Sequence, residues 1–207
     1  STRGLIAGGN TPGDGGARKS IDFVTMASTG GSSDFGELVQ ERFDFMGGMG
    51  NGVRAVFAGG YSQTSPAATF FKMIDTVNVQ TKGEATKFGE LSATRGRTTN
   101  TSNSVRGLNF AGGPGPTART NIIEFITLST EGNAQDFGDL ADPALSVASC
   151  ASSTRAVQTG GSISSGSVNT MQFVTISTTG NATDFGDMTA AQSALAALSD
   201  VNGGLGD

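Results

Sequence analysis

Three pairs of acidic residues recur at a spacing of three: Asp34 with Glu37, Asp136 with Asp139, and Asp184 with Asp187. Paired carboxylates could ligate calcium. That ion takes about six to eight oxygens, and the pairs lack the clustered D-x-D-x-D-G form of a calcium loop. Asp200-Val201-Asn202-Gly203-Gly204 is faintly similar to the calcium loop of integrin-type FG-GAP repeats, but Gly204 stands where an acid is needed. The chain has no histidine. That removes Ser-His-Asp and Cys-His nucleophiles, imidazole proton shuttles and His-based metal sites. Its single cysteine, Cys150, lies among Ser and Ala and reads as a small buried residue that forms no intrachain disulfide. Arg3, Arg54, Arg106 and Arg155 recur along the chain. They could form an anion-binding ring, but bonding to neighbouring turn carbonyls or acids is the expected use. No catalytic residue, metal or cofactor is expected, and the protein is not expected to be an enzyme.

Composition narrows the classes further. The chain has 207 residues, 32 of them Gly, no Trp, one Tyr and only 15% charged residues. Ser, Thr, Asn and Gly in this excess favour strands and tight turns. The net charge of −5 and the lack of a basic run argue against a nucleic-acid partner. No apolar run reaches membrane-spanning length, so no membrane insertion is expected. The opening Ser1-Thr2-Arg3-Gly4-Leu5 is not built like a secretory leader, and a start without Met suggests processing or excision from something longer.

What positions these residues is a fourfold repeat. The four arginines stand 51, 52 and 49 residues apart, and each starts a short apolar run ending in Gly-Gly. Phe35, Phe88, Phe137 and Phe185 stand 53, 49 and 48 apart, each followed by Gly and an acid. Two independent markers thus keep one period. After Gly-Gly come variable stretches at 10–19, 61–69, 114–120 and 162–168, read as loops. Second runs follow at 21–26, 74–79, 122–128 and 171–176, β-branched, aromatic and partly alternating, as half-buried strands are. The Phe-Gly-acid segments make a third short strand. Segments 42–49, 95–101, 145–151 and 193–198 make a fourth, which returns to the next arginine through turns such as Gly50-Asn51-Gly52. The Ala-rich stretch from Met188 to Leu198 competes as a helical turn.

Four strands in about fifty residues predict the blade of a β-propeller. The expected fold is all-β, a single domain over 1–207 with repeats at 1–52, 53–104, 105–153 and 154–207. Counted in phase, the chain opens on a second strand and ends on a first one. Segment 193–198 is therefore expected to pair beside Arg3 and seal a four-blade ring. Otherwise residues 201–206 begin a fifth blade of a larger ring. In this frame Phe35, Phe88, Phe137 and Phe185 plug between blades, the glycine permits a bend, and the acid meets turn amides. The Asp-Phe-Gly tripeptide that holds magnesium in protein kinases is present without a phosphate loop or His-Arg-Asp, so it is structural here. Asn100-Thr101-Ser102 and Asn181-Ala182-Thr183 fit the glycosylation pattern with no secretory signal to support its use.

The run Leu91-Ser92-Ala93-Thr94-Arg95, then Ser104-Val105-Arg106, Ala111-Gly112-Gly113 and Ile123-Glu124-Phe125, resembles a Kelch repeat, as does Leu38 to Arg42 followed by Ala58-Gly59-Gly60. The resemblance implies four-stranded blades. It departs where Kelch blades carry a Trp, since the four phenylalanines stand there, and where Ala144 and Gln192 replace the arginine. The missing His excludes the copper chemistry of the galactose-oxidase branch. The wording Thr179-Gly180-Asn181-Ala182-Thr183-Asp184-Phe185-Gly186-Asp187 also resembles repeat segments of bacteriophage tail and fibre proteins. That implies a structural or attachment module on a virion, with other virion proteins, host-surface glycan or copies of itself as partners. A soluble, cytoplasmic Kelch-type or lectin-like adaptor is the alternative. Arg18, Lys19, Tyr61, Arg97 and Arg119, long or aromatic groups on the loop rim, are the expected contact residues.

Overall fold

The computed structural model describes residues 3–11, 16–63 and 68–199. These residues form four antiparallel sheets arranged as the blades of a β-propeller, with no helix among them. Blades 2, 3 and 4 each have an inner, a second, a third and an outer strand. In blade 2 these are Met49–Gly50, Arg54–Ala58, Met73–Asn78 and Thr86–Glu90; in blade 3, Thr98–Ser102, Arg106–Phe110, Thr120–Thr127 and Gln135–Ala144; in blade 4, Ala148–Ala151, Arg155–Thr159, Gly166–Thr175 and Thr183–Gln192. Blade 1 has only the last three, Arg3–Ala7, Ser20–Thr25 and Ser33–Glu37.

The hairpins that enter the second strands close on one side-chain oxygen. Asn51 Oδ1 accepts the backbone N–H groups of Val53 and Arg54, and Asn103 Oδ1 those of Val105 and Arg106. Ser152 Oγ does the same for Thr154 and Arg155. These are Asx and Ser turns, and they explain the short polar residues three positions before Arg54, Arg106 and Arg155.

Each outer strand carries the same bulge. The register shifts between Ile21 and Asp22, Ile74 and Asp75, Ile123 and Glu124, and Met171 and Gln172. In each case the partner strand has one extra residue: Phe35, Phe88, Phe137 or Phe185. A bulge re-aims one side chain out of the pleat. Here it turns the phenylalanine toward the next blade, and the glycine after it tolerates the distortion, with φ at 154° for Gly36 and 148° for Gly138.

The apolar core is therefore divided into three seams. Ile21, Phe35 and Leu38 of blade 1 pack on Phe57, Val77 and Ala85 of blade 2. Blade 2 meets blade 3 through Phe88 and Leu91 against Ile126 and Leu128. Blade 3 meets blade 4 through Phe137 and Leu140 against Val174 and Ile176. Removing one such side chain from water contributes about 1.5–3 kcal/mol.

Two sequence expectations need correction. Segment 193–198 is not a strand, and no helical turn forms over Met188–Leu198, whose first five residues are strand. The outer strand of blade 4 runs on to Gln192, the chain turns at Ala194 with φ of 58°, and the next residues lie along the inner strand of blade 4, where Ser199 Oγ donates to the Ala151 carbonyl at 2.7 Å. Among the described residues it does not pair with Arg3–Ala7, so that strand is a sheet edge and no shared blade seals the ring. The strand expected over 42–49 is broken into Phe45–Met46, which pairs parallel to Thr98 and Thr99, and Met49–Gly50. The break falls at Gly47, whose φ is 81°. The expected fifth-blade strand at 201–206 and the calcium-like residues 200–204 lie outside the described residues.

Candidate functional site

The repeated arginines are pegs. Arg3 Nη1 donates to the carbonyls of Val79 and Gln80 at 3.0 and 2.9 Å. Arg54 reaches the Leu128 carbonyl at 3.2 Å and Arg106 that of Ile176 at 2.9 Å. Each thus crosses a seam to the end of the third strand of the following blade. On its own blade Arg106 lies over Phe125 and Arg155 over Phe173, at 4.6 and 4.7 Å from the ring centroids. No ring of converging cations results, because the guanidinium groups are used in succession around the arc.

The phenylalanine bulges receive a turn from the next blade. Gly83, Gly132 and Gly180 donate their backbone N–H groups to the carbonyls of Phe35, Phe88 and Phe137 at 3.0, 3.0 and 2.7 Å. The residue after each turn glycine then accepts the N–H of the acid: Glu84 from Glu37, Asn133 from Glu90 and Asn181 from Asp139. The acid side chains do not meet turn amides as the sequence suggested. Glu37 pairs with Lys19 at 2.5 Å, and Glu90 with Lys72 and Lys87 at 2.7 and 2.6 Å. These contacts raise the Lys19 pKa and hold the Glu90 carboxyl down at about 2. Phe35, Phe88 and Phe137 are 2–3% exposed, whereas Phe185 is 49% exposed. The glycosylation-like asparagines are structural as well. Asn100 is buried, and Asn181 holds the Asp139 N–H.

Buried ion pairs were the part of these seams not foreseen. Arg42 meets Asp75 at 3.0 Å with both side chains at 0% exposure, and Arg95 meets Glu124 in the same way one blade on. Burial pushes the Arg42 and Arg95 guanidinium pKa values down, the latter to about 10, and pushes Asp75 up against the opposing pull of Arg42. The acids also accept backbone N–H groups of the preceding blade, Val39 for Asp75 and Ser92 for Glu124. At the third seam Ala144 replaces the arginine, and Gln172, accepting from Ala141, replaces the acid. Both charges are lost together, as the cost of an unpaired buried ion requires. An acid inside an otherwise apolar third strand, Ile74-Asp75 or Ile123-Glu124, was the available signal.

The loop rim is held by short main-chain bridges. Phe43 pairs with Tyr61, Gly96 with Gly113 and Leu145 with Ser162, each joining the segment that leaves one blade to the loop of the next. The two loop sets therefore share one rim. Arg18 and Lys19 are exposed there, with Arg18 Nε donating to Thr11 Oγ1 at 2.9 Å. Arg97, whose φ is 57°, donates to the Pro116 carbonyl at 2.7 Å. Arg119 donates to the Ser162 carbonyl at 3.0 Å, tying the loops of blades 3 and 4. Tyr61 is not at the surface: it is 6% exposed, stacked on Phe70 at 4.9 Å and tilted against Phe43 at 4.3 Å.

The inner strands line the axis with small polar groups. Thr99 and Ser149 share a hydrogen bond at 3.0 Å, and Asn109 donates to Asn100 at 2.8 Å. A cavity of about 240 Å³ lies here, walled in part by Asn100, Ser149 and Leu198. Cys150, half-buried at its edge, has its thiol pKa raised by desolvation. Among the described residues no three of His, Cys, Asp and Glu are grouped to hold a metal ion.

Seams, bulges and inner strands together define a β-propeller. No family model matches the chain, and no curated protein matches it in sequence. The solved structure of YjhT matches with a TM-score of 0.74 at 8% identity, over 93% of this chain and 64% of that one. The likeness is one of fold, and this chain spans just under two thirds of YjhT's length.

Proposed function

We propose that this propeller is a non-enzymatic attachment module of a phage virion, built from Kelch-like blades, whose loop rim contacts host-surface glycan or other virion proteins. The observation that carries the reading is the rim itself. Among the described residues the loops of blades 2, 3 and 4 are tied by bridges and by Arg97 and Arg119, and Arg18 and Lys19 stand outward on the loop of blade 1, their backbone held by bonds with Gly9, Leu38 and Arg42. Fixed loops lose little freedom on binding, which favours recognition. The repeat wording around Thr179 to Asp187 supports a virion setting, and the absence of His from the whole chain supports a binding role over catalysis. Tyr61 has no part in the contact, being covered by Phe43 and Phe70.

The test uses an antibody raised against the chain, applied to phage particles purified from its source. Labelling of intact particles and slowed adsorption to host cells are expected. The purified chain should also bind host cells, and Arg18→Ala with Lys19→Ala should weaken that binding. Particles that never label would end the virion reading, and binding indifferent to both substitutions would end the rim assignment.

A further inference from the structure

Blade 2 departs from the other three at one position of its third strand. Two residues beyond each repeated arginine, Leu5, Val56, Leu108 and Val157 pair with Phe23, Thr76, Phe125 and Phe173. Blades 1, 3 and 4 therefore set a phenylalanine ring at this place, and blade 2 sets a threonine. Each ring is used in the same way. The arginine of its blade lies over it, Arg3 at 5.1 Å from the Phe23 centroid, Arg106 at 4.6 Å from Phe125 and Arg155 at 4.7 Å from Phe173. A guanidinium is weakly hydrated and is attracted to the face of a ring. Arg54 has no such ring on the third strand of its blade, and approaches only Phe88 of the outer strand, at 5.9 Å.

The missing ring leaves a cleft of about 460 Å³, with Arg54, Thr76, Thr81, Gly83, Thr86 and Glu131 among its walls. At the equivalent place in blade 1, where Phe23 is present and blade 2 docks, the space is about 80 Å³. Blade 4 differs, because among the described residues no blade follows it over Phe173. The cleft in blade 2 has polar groups with bonding capacity left. Glu131 of blade 3 meets Arg54 at 3.7 Å, beyond hydrogen-bond reach. Thr76 Oγ1 donates to the Ala55 carbonyl at 3.2 Å and can still accept. Thr86, opposite Thr76 on the outer strand, is exposed. Lys82 and Glu84 are engaged across the seam with blade 1, Lys82 over Phe23 and Glu84 with the Glu37 N–H.

We infer that this cleft binds a phenol, one aromatic ring with a hydroxyl on its edge. The ring takes the place under Arg54 that Phe23, Phe125 and Phe173 take under their own arginines. The hydroxyl donates to the Glu131 carboxylate across the seam between blades 2 and 3. A hydrocarbon ring would cover the carboxylate and the threonine hydroxyls without replacing their bonds to water. A carboxylate or phosphate would be repelled by Glu131. A sugar has hydroxyls but no π face to offer the guanidinium. Arg54 opens the strand whose far end leads to the loop rim at Tyr61, so the cleft and the rim are separate and the inference does not rest on the attachment reading.

The experiment follows backbone amide shifts of the isotope-labelled 207-residue chain by NMR as p-cresol is added. Saturable shifts are expected at Thr76, Gly83, Thr86 and Glu131. p-Cresol should bind about tenfold tighter than toluene, the value of one hydrogen bond to a charged group, and Glu131→Gln should narrow that preference. Thr76→Phe installs the residue the other three blades carry. It should keep the urea midpoint or raise it and abolish the binding, whereas Thr76→Ser, which leaves the cleft open, should bind as wild type does. N-Acetyltyrosinamide separates two sources of the ring. It binds if the cleft takes a tyrosine of a partner chain, and fails where p-cresol succeeds if the cleft takes a free phenol. p-Cresol shifts that never saturate overturn the inference, as do shifts that survive Thr76→Phe in a folded chain. Equal affinity for p-cresol and toluene, unmoved by Glu131→Gln, overturns it too, and so does methyl glucoside moving these amides when p-cresol does not.

Discussion

The backbone N–H of Gly132 donates to the carbonyl oxygen of Phe88 at 3.0 Å, across the seam between blades 2 and 3. This bond lets two backbones approach so closely that the carbonyl of Gly132 lies where a Cβ on Gly89 would be. The obstacle is main chain, so no flexible side chain can yield to relieve it. Gly89→Ala should lower stability by about 1–3 kcal/mol through forced separation of the seam. Gly52→Ala, in a hairpin with nothing within 4 Å of the added methyl, should stay near wild type. Urea midpoints of both variants check this, and equal losses would count against the close approach.

The period, the blade and the seam-plugging role of three phenylalanines were legible in the sequence because they rest on local patterns. Phe-Gly in an alternating strand marks the bulge, and Asn51 and Asn103 mark their hairpins. The sequence also pointed to Arg3, Arg54 and Arg106 bonding across to neighbours. It misplaced Tyr61, since a lone tyrosine just past Gly-Gly carries no sign that Phe43 and Phe70 enclose it. It misread 193–198, where the repeat predicts a strand but pairing needs a second strand that these residues do not meet. Phe185 resembles its three counterparts in sequence, and only the fold distinguishes it, because its environment depends on a blade beyond the fourth. The buried acids were missed because their partners Arg42 and Arg95 belong to the preceding repeat, and only the packed seam brings each pair together.

Glu90 predicts how one surface cluster responds to acid. Hydrogen bonds from Lys72 and Lys87 hold its carboxyl at about 2, below the ordinary carboxylate range. A carboxylate depressed in the folded state contributes stability above its unfolded pKa and loses that contribution as pH falls toward the folded value. The stability difference between wild type and Glu90→Gln should therefore be constant near neutrality, shrink below about pH 5 and vanish near pH 2. The group is exposed, so added salt should diminish the difference at neutral pH. Urea midpoints across that range, with and without salt, decide it. A difference that grew on acidification would show that the lysines do not hold the ionised form.

The buried pair of Arg95 and Glu124 invites a comparison the protein has already made. One seam on, Ala144 and Gln172 occupy the same two positions; Gln172 keeps the backbone bond from Ala141, and its amide donates to Gln158 Oε1 at 3.4 Å. Arg95→Ala alone would leave the Glu124 carboxylate buried at 2% exposure without its cation, at a cost of about 3–5 kcal/mol. The double change Arg95→Ala with Glu124→Gln removes the charge along with its partner, and Gln retains an oxygen for the Ser92 N–H that Glu124 now accepts. The double variant should therefore be more stable than Arg95→Ala, although it carries one more substitution. Denaturant unfolding of the two singles and the double gives the coupling directly. If the two changes add, with the double less stable than either single, then the pair contributes only packing, and the joint loss of charge at Ala144 and Gln172 has no electrostatic basis.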